Sequence, residues 1–184
     1  MVEKNIIFVH YYKTTIGELI IGCFEDQICI IDFRYRKMRT AIDHRVQSAL
    51  NAVFFEKETP LIRTAHLQIK DFLNGRRFKF KIPFMIVGTS FQKEVWKALL
   101  TIPYGCTLSY LELAQKIGDE KAVRAVATAN GANAIALVIP CHRVIGSDNK
   151  LVGYAGGIAV KKRLLSLESK HTKNPNELPF DFNT

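Results

Sequence analysis

The chain has 184 residues, 48% of them hydrophobic, with a formal net charge of +9 and a pI near 9.5. That length suits one domain or two small ones, the apolar content excludes a wholly disordered chain, and no apolar run approaches the roughly 20 residues of a membrane helix. The charge favours a polyanionic partner, nucleic acid first, over a generically basic soluble protein, and residues 1–13 lack the layout of a secretory signal, so an intracellular protein is expected.

Residues 5–12, 18–23 and 27–35 read as strands, rich in Ile, Phe, Val and Tyr and separated by Gly17 and by Glu25-Asp26. Residues 40–56 read as a helix, because Ile42, Val46, Ala49, Leu50 and Val53 recur at helical spacing. A second helix is predicted over 61–73, with Leu61, Ala65, Ile69 and Phe72 on one face and Asn74-Gly75 as its stop. Residues 77–82 alternate well enough for one more strand. After Pro83 the character changes, and residues 85–90 read as a junction. Ser90 is the expected cap of a helix that turns Phe91, Val95, Trp96 and Leu99 inward.

Ser109 and Glu112 form a capping box opening a helix that Gly118 ends, and Asp119 is placed to cap a further helix over about 120–130. Two short helices joined by a tight turn make a helix-turn-helix pattern, a weak signal alone. The second helix carries mostly small side chains around Arg124, whereas major-groove readers use long polar ones. Such a smooth surface reads little sequence but approaches DNA closely; the competing reading is that its alanines only pack into the core. Residues 136–140 read as a short apolar strand, residues 153–157 hold three glycines around Tyr154, and residues 160–168 read as a final helix. The polar residues 171–184 read as a loose tail. Charge does not locate the partner: residues 1–85 carry 14 Lys+Arg against 9 Asp+Glu and residues 86–170 carry 11 against 6, so each part is +5.

The four cysteines, Cys23, Cys29, Cys106 and Cys141, form no C-x-x-C pair, and free thiols fit them better than disulfides or zinc. Cys141 ends the apolar run and directly precedes His142 and Arg143. A buried cysteine is by default an inert small hydrophobe. A thiol with a reference pKa of about 8.5 becomes a nucleophile only beside a base or in a positive field, and His142 and Arg143 offer both. Adjacent residues on a strand point to opposite faces, so contact between Cys141 and His142 requires a bend or a bridging water. A zinc deaminase would need a second cysteine at position 144, which is Val, and no partner set for a cysteine protease is signalled.

The run Ile139-Pro140-Cys141-His142-Arg143-Val144-Ile145 resembles the signature of the O6-alkylguanine-DNA alkyltransferases. Phe91-Gln92, Val95-Trp96, Ile102-Pro103, Ser109-Tyr110, Arg124-Ala125-Val126, Asn133, Gly153-Tyr154 and Leu164-Leu165 with Glu168 fall in that family's order and spacing. The strong part covers about residues 88–168, and the first 60 residues match only in general pattern. The resemblance implies an α/β (α+β) architecture: a ribonuclease-H-like N-terminal domain over 1–85, a winged helix-turn-helix-like acceptor domain over 86–170, and a flexible tail over 171–184.

It also implies roles. Cys141 is the alkyl acceptor, His142 its base through a water, Glu168 the group that orients His142, and Asn133 the brace of the active-site turn. Tyr110 offers its hydroxyl to guanine N3. Arg124 fills the gap left by a flipped nucleotide, while Ala122, Ala125, Ala127 and Thr128 lie along the minor groove. Gly153, Tyr154, Ala155 and Gly156 wall the pocket, and the Val144 carbonyl accepts from the guanine amino group. The implied reaction is single-turnover repair of O6-alkylguanine in duplex DNA, with O4-alkylthymine left open and a non-catalytic lesion-binding protein as the alternative. No cofactor, metal, membrane or obligate protein partner is implied, and the expectation is a cytoplasmic monomer, nucleoid-associated in a prokaryote. Three positions depart from the usual pattern: Ala134 where many members have Pro, Ala155 where some have Ser, and Arg163 where several have Trp.

Overall fold

A computed structural model describes residues 5–146 and 148–171. Three strands, β1 (Asn5–Thr14), β2 (Gly17–Phe24) and β3 (Gln27–Phe33), form an antiparallel meander. Its turns fall where the sequence places them: Gly17, Glu25 and Asp26 all take positive φ. Helix α1 (Arg39–Leu50) leads to β4 (Ala52–Glu56), which lies parallel to β1, so the sheet order is β3-β2-β1-β4. The helix expected over 40–56 is therefore helix only to Leu50, and its end is a strand. Asn51 stops it in the left-handed conformation, its N–H bonded to the Gln47 and Ser48 carbonyls. Val53, Phe54 and Phe55 then continue as β-formers.

Helix α2 (Pro60–Leu73) starts at Thr59, whose side chain accepts from the Ile62 N–H, and buries Ile62, Ala65, Ile69 and Phe72 against the sheet. No strand forms over 77–82. The Gln68 amide of α2 accepts from Lys81 N–H at 2.8 Å and donates to Lys81 C=O at 3.1 Å, so a side chain takes the place of a ladder neighbour. The segment read as a junction is packed: Ile28 N–H donates to the Pro83 carbonyl and Met85 N–H to the Ile28 carbonyl, while Met85 and Val87 join the cluster under α1.

Helix α3 (Ser90–Leu99) is capped by Thr89 rather than Ser90, through a reciprocal box with Gln92. Trp96 is buried and its indole donates to the Ala129 carbonyl at 2.8 Å, tying α3 to the helix-turn-helix pair. That pair is α4 (Tyr110–Lys116), opened by the Ser109/Glu112 box, and α5 (Val123–Gly131), preceded by a 3-10 turn over Glu120–Ala122. The two-residue strands β5 (Leu108–Ser109) and β6 (Val144–Ile145) pair in parallel, and α6 (Ile158–Ser169) closes the described chain. The strand expected over 136–140 is a compact turn. Leu137 has φ 72°, Val138 N–H returns to the Ala136 carbonyl and Ile139 N–H to the Ile135 carbonyl.

One hydrophobic cluster runs from β2, β3 and α2 into α3, α4, α5 and α6, so the two parts of the chain share a core. No helix among the described residues is long and apolar enough to cross a membrane. Apart from His171, the expected tail lies outside the described residues.

Candidate active site

The turn over 134–140 delivers its product at Cys141. The Ile31 N–H donates to Ala134 C=O at 2.8 Å, and Ala136 N–H donates to Ile31 C=O at 2.7 Å, which pins the turn to β3. Asn133 then binds the turn internally: its Oδ1 accepts from Ile135 N–H at 2.9 Å, and its Nδ2 donates to Ile139 C=O at 2.9 Å and to Cys141 Sγ at 3.2 Å. A donor aimed at sulfur favours the thiolate.

Cys141 begins a 3-10 turn, Cys141–Arg143, which supplies the bend needed to carry His142 away from strand geometry. His142 is fully buried, with Nε2 2.8 Å from Glu168 Oε1. The carboxylate fixes the proton on Nε2 and leaves Nδ1 as the basic nitrogen. Nδ1 has no hydrogen-bond partner among the described residues. Burial pushes the imidazole below its usual pKa, against the pull of Glu168, so His142 is neutral at rest. Glu168 also accepts from Arg143 Nε at 2.9 Å, from Arg143 Nη2 at 2.9 Å and from Gly105 N–H at 2.9 Å. Burial raises this carboxyl, but His142 and Arg143 outweigh it and hold the pKa down to about 2.

Cys141 opens onto a cavity of about 490 Å³, which Tyr110, Asn130, Asn133, Gly153, Tyr154 and Ala155 help to line. Burial pushes the Cys141 thiol up, while Asn133 and the charges of Arg36 and Lys161 pull it down. Tyr110 is raised to about 12, first by burial and then by Cys141, so its hydroxyl keeps its proton at neutral pH. Gly156 sits against Phe33: an added Cβ would meet that ring at 2.5 Å, so only glycine lets the 153–157 loop close on the sheet. Val144 and Gly156 do not line the cavity; Val144 is buried in β6 behind it. On α5, Arg124, Ala125 and Thr128 are exposed and Ala127 lines the cavity, while Ala122, in the turn before it, packs at the edge of the core.

Two cations were not singled out by sequence. Arg36 reaches across the chain to the carbonyls of Asn133 (3.1 Å) and Gly131 and pairs with the buried Asp32 at 2.8 Å. Nothing in a local pattern signals a contact spanning nearly a hundred residues. Lys161 is wholly buried, donates to the Val152 and Gly153 carbonyls at 2.7 and 3.3 Å, and lies 5.9 Å from the Tyr110 ring centre. Its signal was available, because Lys161 shares the inward face of α6 with Leu164, Leu165 and Glu168.

Residues 90–170 match the model of the 6-O-methylguanine DNA methyltransferase DNA-binding domain. A methylated-DNA–protein-cysteine methyltransferase of Methanosarcina barkeri is 41% identical over 161 residues, covering 88% of this chain and 96% of the relative. The chain belongs to the methylated-DNA–protein-cysteine methyltransferase family. The constitutive enzyme of Bacillus subtilis is 39% identical over 87% of this chain and 96% of its own length. Among solved structures, Mycobacterium tuberculosis OGT in complex with DNA superposes with a TM-score of 0.77 at 37% identity, covering 89% of this chain and 93% of that one. The mixed sheet-and-helix fold is thus the fold of this methyltransferase family.

Proposed function

We propose that Cys141 takes an alkyl group from O6 of guanine in duplex DNA, once per molecule. One observation carries this reading: the only residue of the Cys141–Arg143 turn that lines the cavity is Cys141, and the next residue is a buried neutral histidine held by its carboxylate. His142, through Nδ1 and a bridging water, removes the thiol proton, and Glu168 stabilises the imidazolium that forms. The thiolate attacks the alkyl carbon, the carbon–O6 bond breaks, and its electron pair stays with guanine. Tyr110 donates a proton to guanine N3, which neutralises the leaving base. The product is a thioether that cellular thiols do not reduce, so the acceptor is consumed.

A stacked base cannot present O6 to a thiol at the floor of a cavity, so the nucleotide is flipped, at a cost of a few kcal/mol. Arg124, exposed on α5, fills the gap it leaves, and the small neighbours Ala122, Ala125, Ala127 and Thr128 allow the helix to lie close along the minor groove. Gly153, Tyr154 and Ala155, which line the cavity, hold the extruded base. Residues 86–170 act as the DNA-binding and acceptor unit, and residues 1–85 back the pocket through Arg36. The protein works as a soluble monomer, without metal or cofactor.

The test is intact-protein and peptide mass spectrometry after mixing with duplex bearing one O6-methylguanine. One methyl group mapped to Cys141 and saturating at one per molecule is expected. Tight lesion-selective binding with no mass gain would move the chain to lesion recognition without transfer.

A further inference from the structure

On the far side of α6 from the acceptor site lie two hollows, of about 210 and 400 Å³, which adjoin at Leu73 and are together called the groove. The β1–β2 hairpin, α2 and α6 build it. At about 100° per residue, Arg163, Ser166 and Lys170 fall opposite Lys161, Leu165 and Glu168, the face turned toward His142. Lys13 and Lys70 line one end, Arg163 and Lys170 the other, and no Asp or Glu is among the lining residues. Arg163 also ties the groove together by donating to the Thr15 carbonyl.

In the same part of the chain Arg34, Arg36, Arg39, Arg63 and Arg76 are each paired with a carboxylate. Among the described residues, no ion pair neutralises Lys13, Lys70, Arg163 or Lys170. Glu18, which feels the charge of Lys13, is already held by Arg34 at 2.8 Å. His66, also in the groove, is half-buried and stacked on Tyr12 at 3.7 Å, adding a planar polar edge beside Lys70. Unpaired like charges gathered along a groove repel one another and are stabilised by a polyanion.

We propose that this groove is a second nucleic-acid contact, which holds the phosphate backbone of a DNA segment other than the one whose lesion enters the Cys141 cavity. The proposal rests on the DNA-binding reading of the chain. It gives a role to Lys13 and Lys70, two cations of residues 1–85 that lie away from the acceptor cavity.

The test is lysine footprinting of the unaltered protein: brief acetylation with and without a long, unmodified duplex, read peptide by peptide by mass spectrometry. Protection of Lys13, Lys70 and Lys170 along with Lys121 is expected. Protection confined to residues 93–121 overturns the groove and leaves DNA binding standing; protection of no lysine overturns DNA binding itself. A Lys13→Gln/Lys70→Gln/Lys170→Gln variant supplies the second readout. The slope of log affinity against log salt should shrink by about 2 to 3, at roughly 0.9 per phosphate contact. Its reaction with free O6-alkylguanine should match that of the parent protein. An unchanged slope overturns the proposal.

Discussion

Cys29 lies in the middle of β3, 1% exposed, with Sγ 3.6 Å from the Gly22 carbonyl, and burial followed by the neighbouring Cys23 pushes its thiol up to about 12. Cys141 is 4% exposed and burial raises it too, but its sulfur accepts from Asn133, feels Arg36 and Lys161, and faces a cavity. Both thiols are hidden from bulk water. The sheet sets Cys29 against a carbonyl and away from any cation, which favours the protonated form, whereas the turn gives Cys141 a side-chain donor, two cations and an opening for a reactant. Burial by itself makes a thiol inert; the sign of the groups around it decides whether it becomes a nucleophile.

The largest effect that sharpens this contrast is expected from Cys141→Ala, which should abolish transfer and keep binding to alkylated duplex, while Cys29→Ala leaves the yield of transfer intact. Methyl transfer persisting in the Cys141 variant, followed by mass, would end the acceptor assignment. Next comes Glu168→Gln. Removing one partner of a buried ionic cluster leaves Arg143 unpaired, so a stability loss of about 3–5 kcal/mol is expected in denaturant melts, together with slower transfer.

The same carboxylate sets an acid limit. Its folded pKa of about 2 lies below its unfolded value, so its contribution is present above pH ~4.3 and is lost as pH falls toward 2. His142, held below its usual value by burial, acts in the same direction from about pH 6.5 downward. Thermal melts should therefore fall steadily on acidification, and Glu168→Gln should flatten the lower part of that curve.

Arg124→Ala is expected to slow repair in duplex by about a hundredfold, the equivalent of a few kcal/mol of flipping cost. Reaction with free O6-alkylguanine should change little, and equal losses on both substrates would remove the flipping role. The smallest effect belongs to Lys161→Met. With a buried charge gone from beside Cys141, the pH profile of alkylation by the free base should move upward by about one unit, or tenfold in rate at neutral pH. An unmoved profile would confine Lys161 to holding the 152–153 carbonyls.

Much of the site was legible because it is local. Cys141, His142 and Arg143 are consecutive and the Ser109/Glu112 box announces α4, whereas Glu168 and Asn133 entered the site only through the family resemblance. The misread segments are those where a distant partner overrules local pattern. Residues 52–56 continue a helical periodicity, yet β1 offers them a ladder; residues 77–82 alternate like a strand, yet the Gln68 side chain takes the place a strand would fill.

By itself, the order of residues determined the meander, the helix-turn-helix pair and the candidate nucleophile beside its candidate base, since each depends on neighbours within a few positions. Only tertiary structure decided that Arg36 closes on the Asn133 turn, that Lys161 lends its charge to Cys141, and that four cations from three separate elements line one groove. Those relations are set by packing of surfaces far apart in the chain, and electrostatic fields act through space rather than along the backbone.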